Sequence, residues 1–355
     1  MTRSVGVEEE LFLVDPVTCE PLDVATRALD VDEDGPGADE ELDRELFLAQ
    51  IETNTEPSID GDDLLAHVRR GRERAADDAA AVGASVLASP TSVVGSVGRL
   101  TPTARYRRMA EDHPDLLARA GVCGMHVHVE VEDGHEAVRA IDRLAPWLPV
   151  VTALTAGSPF EDGRDTGYAS WRAHAWDQWP TAGPTGPFGD LATYERAVAG
   201  LVESGVALDE GMVYLDARPG THTPTVEVRV ADVLVHTAEA AAVALLVRAL
   251  VETCLADRVH EWRVERLRAA RWLAQRHGLD GELLDPRTGR SVPASRACAV
   301  LFDHVAPALD DAGDVERVGT VVESLVADGG PAARARRVAG GDPLRWARHV
   351  LEHGG

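Results

Sequence analysis

Four short segments of this chain alternate between apolar and ionisable residues, and that alternation limits the possible fold more than any other feature. Residues two apart on a β-strand share a face. In Gly6-Val7-Glu8-Glu9-Glu10, Glu8 and Glu10 share one face while Val5 and Val7 lie on the other. In Met125-His126-Val127-His128-Val129-Glu130, the three polar side chains share a face and both valines oppose them. In Thr225-Val226-Glu227-Val228-Arg229-Val230, Thr225, Glu227 and Arg229 lie together, and Gln50-Ile51-Glu52 repeats the pattern. The valine faces can pack on helices, which predicts an α+β chain with an antiparallel sheet, one face buried and one face charged.

Water alone can solvate a polar sheet face, so each segment taken singly is compatible with a solvated surface. Four such strands, rich in Glu and His and poor in Lys, Ser and Thr, point elsewhere when taken together. Carboxylates converging on one face repel each other unless cations neutralise them. Hard divalent ions take carboxylate oxygens, and one His among Glu suits Mg²⁺ or Mn²⁺ better than a structural Zn²⁺ site. The His126-x-His128 pair by itself also fits a metal-dependent hydrolase or a cupin-like enzyme. Together with Glu132 it matches the first half of the cupin pattern, but no second half follows downstream. A nearly all-helical C-terminal third argues against an amidohydrolase barrel.

Composition removes further options. All 35 basic residues are Arg, with no lysine, against 60 Asp and Glu, for a formal charge of −25. Schiff-base chemistry and a lysine-bearing phosphate loop are therefore excluded. Any phosphate must be held by Arg, backbone N–H or metal. The acidity argues against nucleic acid or an anionic membrane as partner. It fits either GC-rich codon usage or salt adaptation. No apolar leader opens the chain, and its longest apolar run, Ala240 to Val247, is far shorter than the roughly 20 residues that span a bilayer. Cys19, Cys123, Cys254 and Cys298 are scattered and read as reduced thiols, which predicts a cytoplasmic protein.

The pattern along the chain predicts a strand over Val5–Val14, an acidic loop from Asp32 to Glu45, and a second strand over Leu46–Glu52. A helix is expected over Asp62–Val86, a strand over Val122–Val131, and one or two helices over Glu136–Leu154, broken at Pro146 and Pro149. Residues 157–190 read as a long functional loop rich in Gly, Pro and aromatics. Strands follow over Val213–Arg218 and Thr225–Val230, and helices from about His236 onward, with turns near Gly278–Pro293 and Gly329–Pro331. Both halves supply catalytic-looking residues, so the chain reads as a single domain over residues 1–355.

The four segments, in order, resemble the successive motifs of the glutamate–cysteine ligase type 2 family of ATP-dependent carboxylate–amine ligases. The segments Trp262–Gly281 and Gly330–Arg336 also resemble that family's C-terminal half. The resemblance implies the glutamine-synthetase-like fold, a curved antiparallel sheet with helices on its convex side and metals, ATP and glutamate on its concave face. It further implies that Glu8, Glu10, Glu52, His126 and Glu227 bind Mg²⁺ or Mn²⁺, and that Arg229 contacts phosphate. Arg172 would sit on a loop near substrate and Arg218 near the site. Glu45 is a further candidate ligand. For Arg218 and Glu45 a surface salt bridge is the competing reading, and for Arg334 and Arg336 an exposed helix face. The implied reaction activates the glutamate γ-carboxylate as an acyl phosphate before an amide forms with cysteine or another amine. The implied partners are small molecules and a second copy of the chain, as a homodimer. A non-catalytic, metal-binding relative is the remaining alternative.

Overall fold

In the computed structural model, residues 2–32, 42–117, 120–221, 223–256 and 262–354 are described, with backbone alone for 30–32 and 42–44. The predicted acidic loop falls largely outside them. The main sheet contains β1 (Val5–Val14), β2 (Leu42–Arg44), β3 (Gln50–Asn54), β4 (Ser85–Leu87) and β5 (Gly124–Glu130). A small separate hairpin follows, formed by β6 (Phe160–Glu161) and β7 (Arg164–Asp165); β8 (Ala217–Pro219) and β9 (Thr225–Asp232) then complete the main sheet. Its order is β2-β3-β1-β5-β9-β8, antiparallel throughout, with β4 on the far end of β1.

The valine faces behave as the alternation requires. Val5, Val7, Val127, Val129, Val226 and Val228 are buried in one core with the helices Gly134–Leu144, Leu148–Thr155 and Thr237–Ala256. The last of these is buried at every position from Thr237 to Val251 except Ala238, because helices and sheet enclose it on all sides. The chain is therefore α+β, with helices on the valine face and the ionisable face turned away from them.

Several boundaries differ from the sequence expectation. The second strand begins at Gln50 and runs to Asn54; Leu46–Ala49 form a turn region whose apolar side chains are buried rather than paired in the sheet. The helix expected to reach Val86 spans Gly61–Ala81. It is capped by the Asp60 carboxylate, which accepts the Asp62 and Asp63 N–H groups, and the chain turns out at Gly83 in the left-handed region (φ +80). Ser85–Leu87 then joins the sheet instead of prolonging the helix. Of Val213–Arg218 only Ala217 and Arg218 are strand, in a strand that runs on to Pro219 and is preceded by a 3₁₀ turn at Glu210–Met212. The two helices over 134–155 part near Pro146, as expected, but Pro149 does not break the chain's course: it lies in the first turn of the second helix, where its missing N–H costs no hydrogen bond. The long loop contains not only the β6–β7 hairpin but also the helix Trp171–Trp176, started by Ser170, whose side chain accepts the Ala173 N–H.

Candidate active site

Strand register assembles the polar face. Glu8 lies opposite His126 and Asn54, Glu10 opposite Glu52, and Glu227 opposite both His128 and Arg218. The side chains converge. Glu8 contacts His126 Nδ1 at 3.2 Å and His128 Nε2 at 3.0 Å, while Glu10 and Glu227 lie 3.8 Å from the His126 ring nitrogens. Arg218 donates to Glu227 at 2.6 Å, and Arg229 pairs with the same carboxylate.

Among the described residues, three overlapping sets could each hold a cation: Glu8, Glu52 and His126; Glu8, His128 and Glu227; and Glu10, Glu45 and Glu52. Within each, the donor atoms lie within 4.8 Å of one another. All five residues expected as metal ligands thus fall in one cluster. His128 and Glu45 add to it. Glu132 does not, since it lies past the end of β5 with its backbone N–H bound to Glu136; the half-pattern of a cupin is not assembled. Arg334 and Arg336 are also away from the cluster. Arg334 makes a two-pronged pair with Glu239 at 2.7 Å, and Arg336 pairs with Asp165 at 2.8 Å, so both tie helices and loop together.

Crowding and burial shift the proton affinities of these groups. Burial and then repulsion by Glu45 push the Glu10 carboxyl up to about 7. Glu52 is pushed well above its ordinary range by burial, then by Glu45 and Glu8. Burial also opposes ionisation of Glu8, but hydrogen bonds from His126 and His128 outweigh it and hold this carboxylate low. Burial and then the Arg229 guanidinium pull His126 down to about 4, so at neutral pH its ring is uncharged and has a lone pair to offer a metal. A raised carboxyl means that the folded state holds a proton the unfolded chain releases, so stability is lost as pH rises above the ordinary carboxylate range. Glu52→Gln mimics the protonated form. In the metal-free protein the variant should therefore gain stability relative to wild type as pH is raised from 5 to 8, and Mg²⁺ should erase the gain. Parallel thermal melts across pH, with and without the ion, check this.

Alternation misplaces one residue. Between Val127↔Val228 and Met125↔Ala231, β9 contains one more residue than β5, a β-bulge. The extra residue brings Asp232, rather than Ala231, onto the charged face. There the buried Asp232 carboxylate accepts hydrogen bonds from Gly157 N (2.9 Å), Ser158 Oγ (2.7 Å) and Ser170 Oγ (2.8 Å), and it lies 3.8 Å from Arg172 Nη1. Asp232 thus fastens the long loop to the sheet and sets the position of Arg172. The only signal for it is the bulge, which no period-two pattern reveals.

Arg172 in turn lies across Gly124. A Cβ at Gly124 would stand 2.1 Å from Arg172 Nη2 and 2.8 Å from Cζ, so only glycine leaves room for the guanidinium. Gly124→Ala should displace Arg172, lowering turnover about 100-fold and stability by about 1–3 kcal/mol; steady-state kinetics and urea unfolding measure the two effects. From the C-terminal half, Arg271 and Gln275, one helical turn apart on Val264–His277, both bind Asp177 at the end of the Arg172 helix. Arg271 does so at 2.7 Å and Gln275 at 2.6 Å, and Arg271 also pairs with Asp216. Their helical spacing gave no hint that they reach the site.

The family model for "Glutamate-cysteine ligase family 2(GCS2)" matches residues 4–347. The chain is 43% identical over 344 residues to a Streptomyces avermitilis protein named "Putative glutamate--cysteine ligase 2-1", with 94% of each chain covered. It is 44% identical to a Paenarthrobacter aurescens protein named "Putative glutamate--cysteine ligase 2-3", covering 95% of this chain and 80% of that one. Among solved structures, the glutamate–cysteine ligase of Francisella tularensis in complex with AMP superposes with a TM-score of 0.75 at 12% identity, covering 99% of this chain and 89% of that chain. A bifunctional glutathione synthetase from Pasteurella multocida superposes with a TM-score of 0.70 at 13% identity, covering 99% and 52%. At these identities the structures speak to the fold.

Proposed function

We propose, from the premise that this chain belongs to glutamate–cysteine ligase family 2, that it joins the γ-carboxylate of L-glutamate to an amine, cysteine among the candidates, at the expense of ATP. The observation that carries the reading is the pairing, on one sheet face, of a carboxylate cluster with arginines and no lysine.

A carboxylate does not acylate an amine near neutral pH, because oxide is too poor a leaving group. Transfer of the ATP γ-phosphoryl to a γ-carboxylate oxygen breaks the bond to the bridging oxygen, releases ADP and gives an acyl phosphate. The amine then attacks the acyl carbon, loses a proton, and phosphate departs with the former carboxylate oxygen. Phosphoryl transfer asks the protein mainly for alignment and charge stabilisation. Glu8, Glu10, Glu52, His126 and Glu227 fit Mg²⁺ or Mn²⁺, because four crowded carboxylates, Glu10 and Glu52 with raised proton affinity, and one neutral imidazole make a mainly oxygen donor set. When bound, such ions neutralise the triphosphate and the charge developing in transfer.

The chain's own groups supply the rest. Arg229, held by Glu227 beside the cluster, would stabilise charge on the moving phosphoryl group. Arg218, on the other side of Glu227, faces a cavity of about 710 Å³ that Gly6, Asn54, His128 and Thr225 also line. Its size suits a nucleotide, and the Francisella ligase was crystallised with AMP. No helix among the described residues is long and apolar enough to cross a membrane, and the reading takes small molecules as substrates and a cytoplasmic homodimer as the working form.

Incubation with ATP, Mg²⁺, L-glutamate and a panel of amines that includes cysteine tests the reading. ADP and a γ-glutamyl amide, detected by mass spectrometry, are expected from at least one amine. Absence of ADP from every pairing would overturn it.

A further inference from the structure

A second group of histidines lies away from the charged sheet face, at the end of the C-terminal helix. His349 and His353 stand one turn apart on Pro343–His353, with ring centroids 4.2 Å apart and ring planes 27° from parallel. His353 Nδ1 donates to the His349 carbonyl at 2.8 Å. A carbonyl only accepts, so the proton is on Nδ1, and the lone pair of the neutral ring is on Nε2. A backbone bond of this kind on one ring nitrogen is the usual support for a metal ligand on the other. His236 comes to the same place from the segment after β9. Arg72 Nη1 donates to both the Val235 and the Gly354 carbonyl, at 2.6 and 2.9 Å, so the residues next to His236 and His353 meet at one guanidinium. The two guanidiniums that act on these rings are already engaged, Arg72 by Glu9 and Arg334 by Glu239. His353 is exposed and His236 and His349 are half-buried, which leaves the rings open to an ion from solvent.

We infer that His236, His349 and His353 form a Zn²⁺ site, separate from the carboxylate cluster, that pins the C-terminal helix to the segment leaving β9. Three imidazole nitrogens without a carboxylate oxygen suit Zn²⁺ and not Mg²⁺. His349 and His353 supply the chelating pair. The buried Trp346, Ala347 and Val350 hold their helix on the molecule, so the pair keeps a fixed place. The nitrogens of all three rings do not converge as they stand, and His236 closes on the pair by turning about its side-chain torsions. Water completes the tetrahedron. The site needs none of the residues of the ligase reading. It lies on the helix-covered side of the sheet, reached from β1 through Glu9 and Arg72, whereas Glu8 and Glu10 point the other way.

Zn²⁺ titrated into the full chain at pH 7.5, above the ordinary imidazole range and with Mg²⁺ saturating, tests the site by calorimetry and by ¹⁵N NMR of the histidine rings. The first equivalent should shift the rings of His236, His349 and His353 and raise the melting temperature, because the ion binds only the folded arrangement. His353→Ala, at an exposed position, and His236→Gln should each weaken this binding at least about 10-fold, since losing a ligand costs no less than losing its outer partner. Circular dichroism should show both variants folded. No binding, or a first equivalent that shifts the His126 and His128 rings instead, would overturn the inference without recourse to any variant. So would an affinity that either substitution leaves unchanged. If only His353→Ala weakened it, the ion would sit on one helix and pin nothing.

Discussion

Glu52→Gln should give a folded protein whose Mg²⁺-dependent ADP release is at least about 1,000-fold slower than wild type. Glu52 belongs to two of the three cation sets, so one amide removes a charged donor from both. Glutamine is nearly the same size and keeps the contact with Asn54, so the fold should persist. Glu227→Gln should act similarly for another reason. Glu227 holds Arg218 and Arg229 as well as facing His126 and His128, so its loss disorders the arginines along with the ion. Turnover assays across a Mg²⁺ titration, with circular dichroism as the control for folding, measure both effects. ADP release at the wild-type rate from both variants would remove these carboxylates from the site.

Arg72→Ala should produce the largest loss of stability, about 3–5 kcal/mol. Glu8, Glu9 and Glu10 are adjacent in sequence, but Glu9 points into the helix-covered core, where it is 1% exposed. Arg72, equally buried on the helix Gly61–Ala81, donates to both Glu9 oxygens at 2.8 and 2.6 Å. Its remaining donors reach the carbonyls of Leu234, Val235 and Gly354, so one guanidinium ties β1, the segment after β9 and the C-terminal end together. Removing it strands a carboxylate and the Leu234 and Val235 carbonyls away from water, and takes a donor from the half-buried Gly354 carbonyl. Urea unfolding should show a lower midpoint at an unchanged slope. Adding Glu9→Gln to Arg72→Ala should recover part of the loss, because the stranded charge disappears while the carbonyls stay unpaired.

Glu9 shows why the sheet was legible and its details less so. Period-two alternation put Glu8, Glu10, Glu52, His126 and Glu227 on the charged face because a half-buried antiparallel sheet imposes that period, and the family resemblance singled them out there. The same rule puts Glu9 on the valine face, where only a partner makes a carboxylate tolerable, and nothing in the local pattern identifies Arg72 on another element. Asp232 escaped because a bulge breaks the period. Arg271 and Gln275 escaped because an amphipathic helix shows which side faces inward without showing what lies opposite. The boundary errors at Leu46, Val86 and Val213 share a cause: buried apolar runs of a few residues suit strand, turn or helix end alike, and tertiary packing decides between them. Arg172 was located through family resemblance alone; its place across Gly124 depends on a loop anchored by Asp232, which is a tertiary fact.

The central claim is that the acyl donor's carboxylate is phosphorylated by ATP on this sheet face. Glutamate labelled with ¹⁸O in its γ-carboxylate tests this most directly, in a reaction with ATP, Mg²⁺ and an accepted amine followed by ³¹P NMR of the products. Transfer through an acyl phosphate predicts one ¹⁸O in each inorganic phosphate released, with ADP as the nucleotide product. Unlabelled phosphate, or ¹⁸O found in AMP, would contradict it.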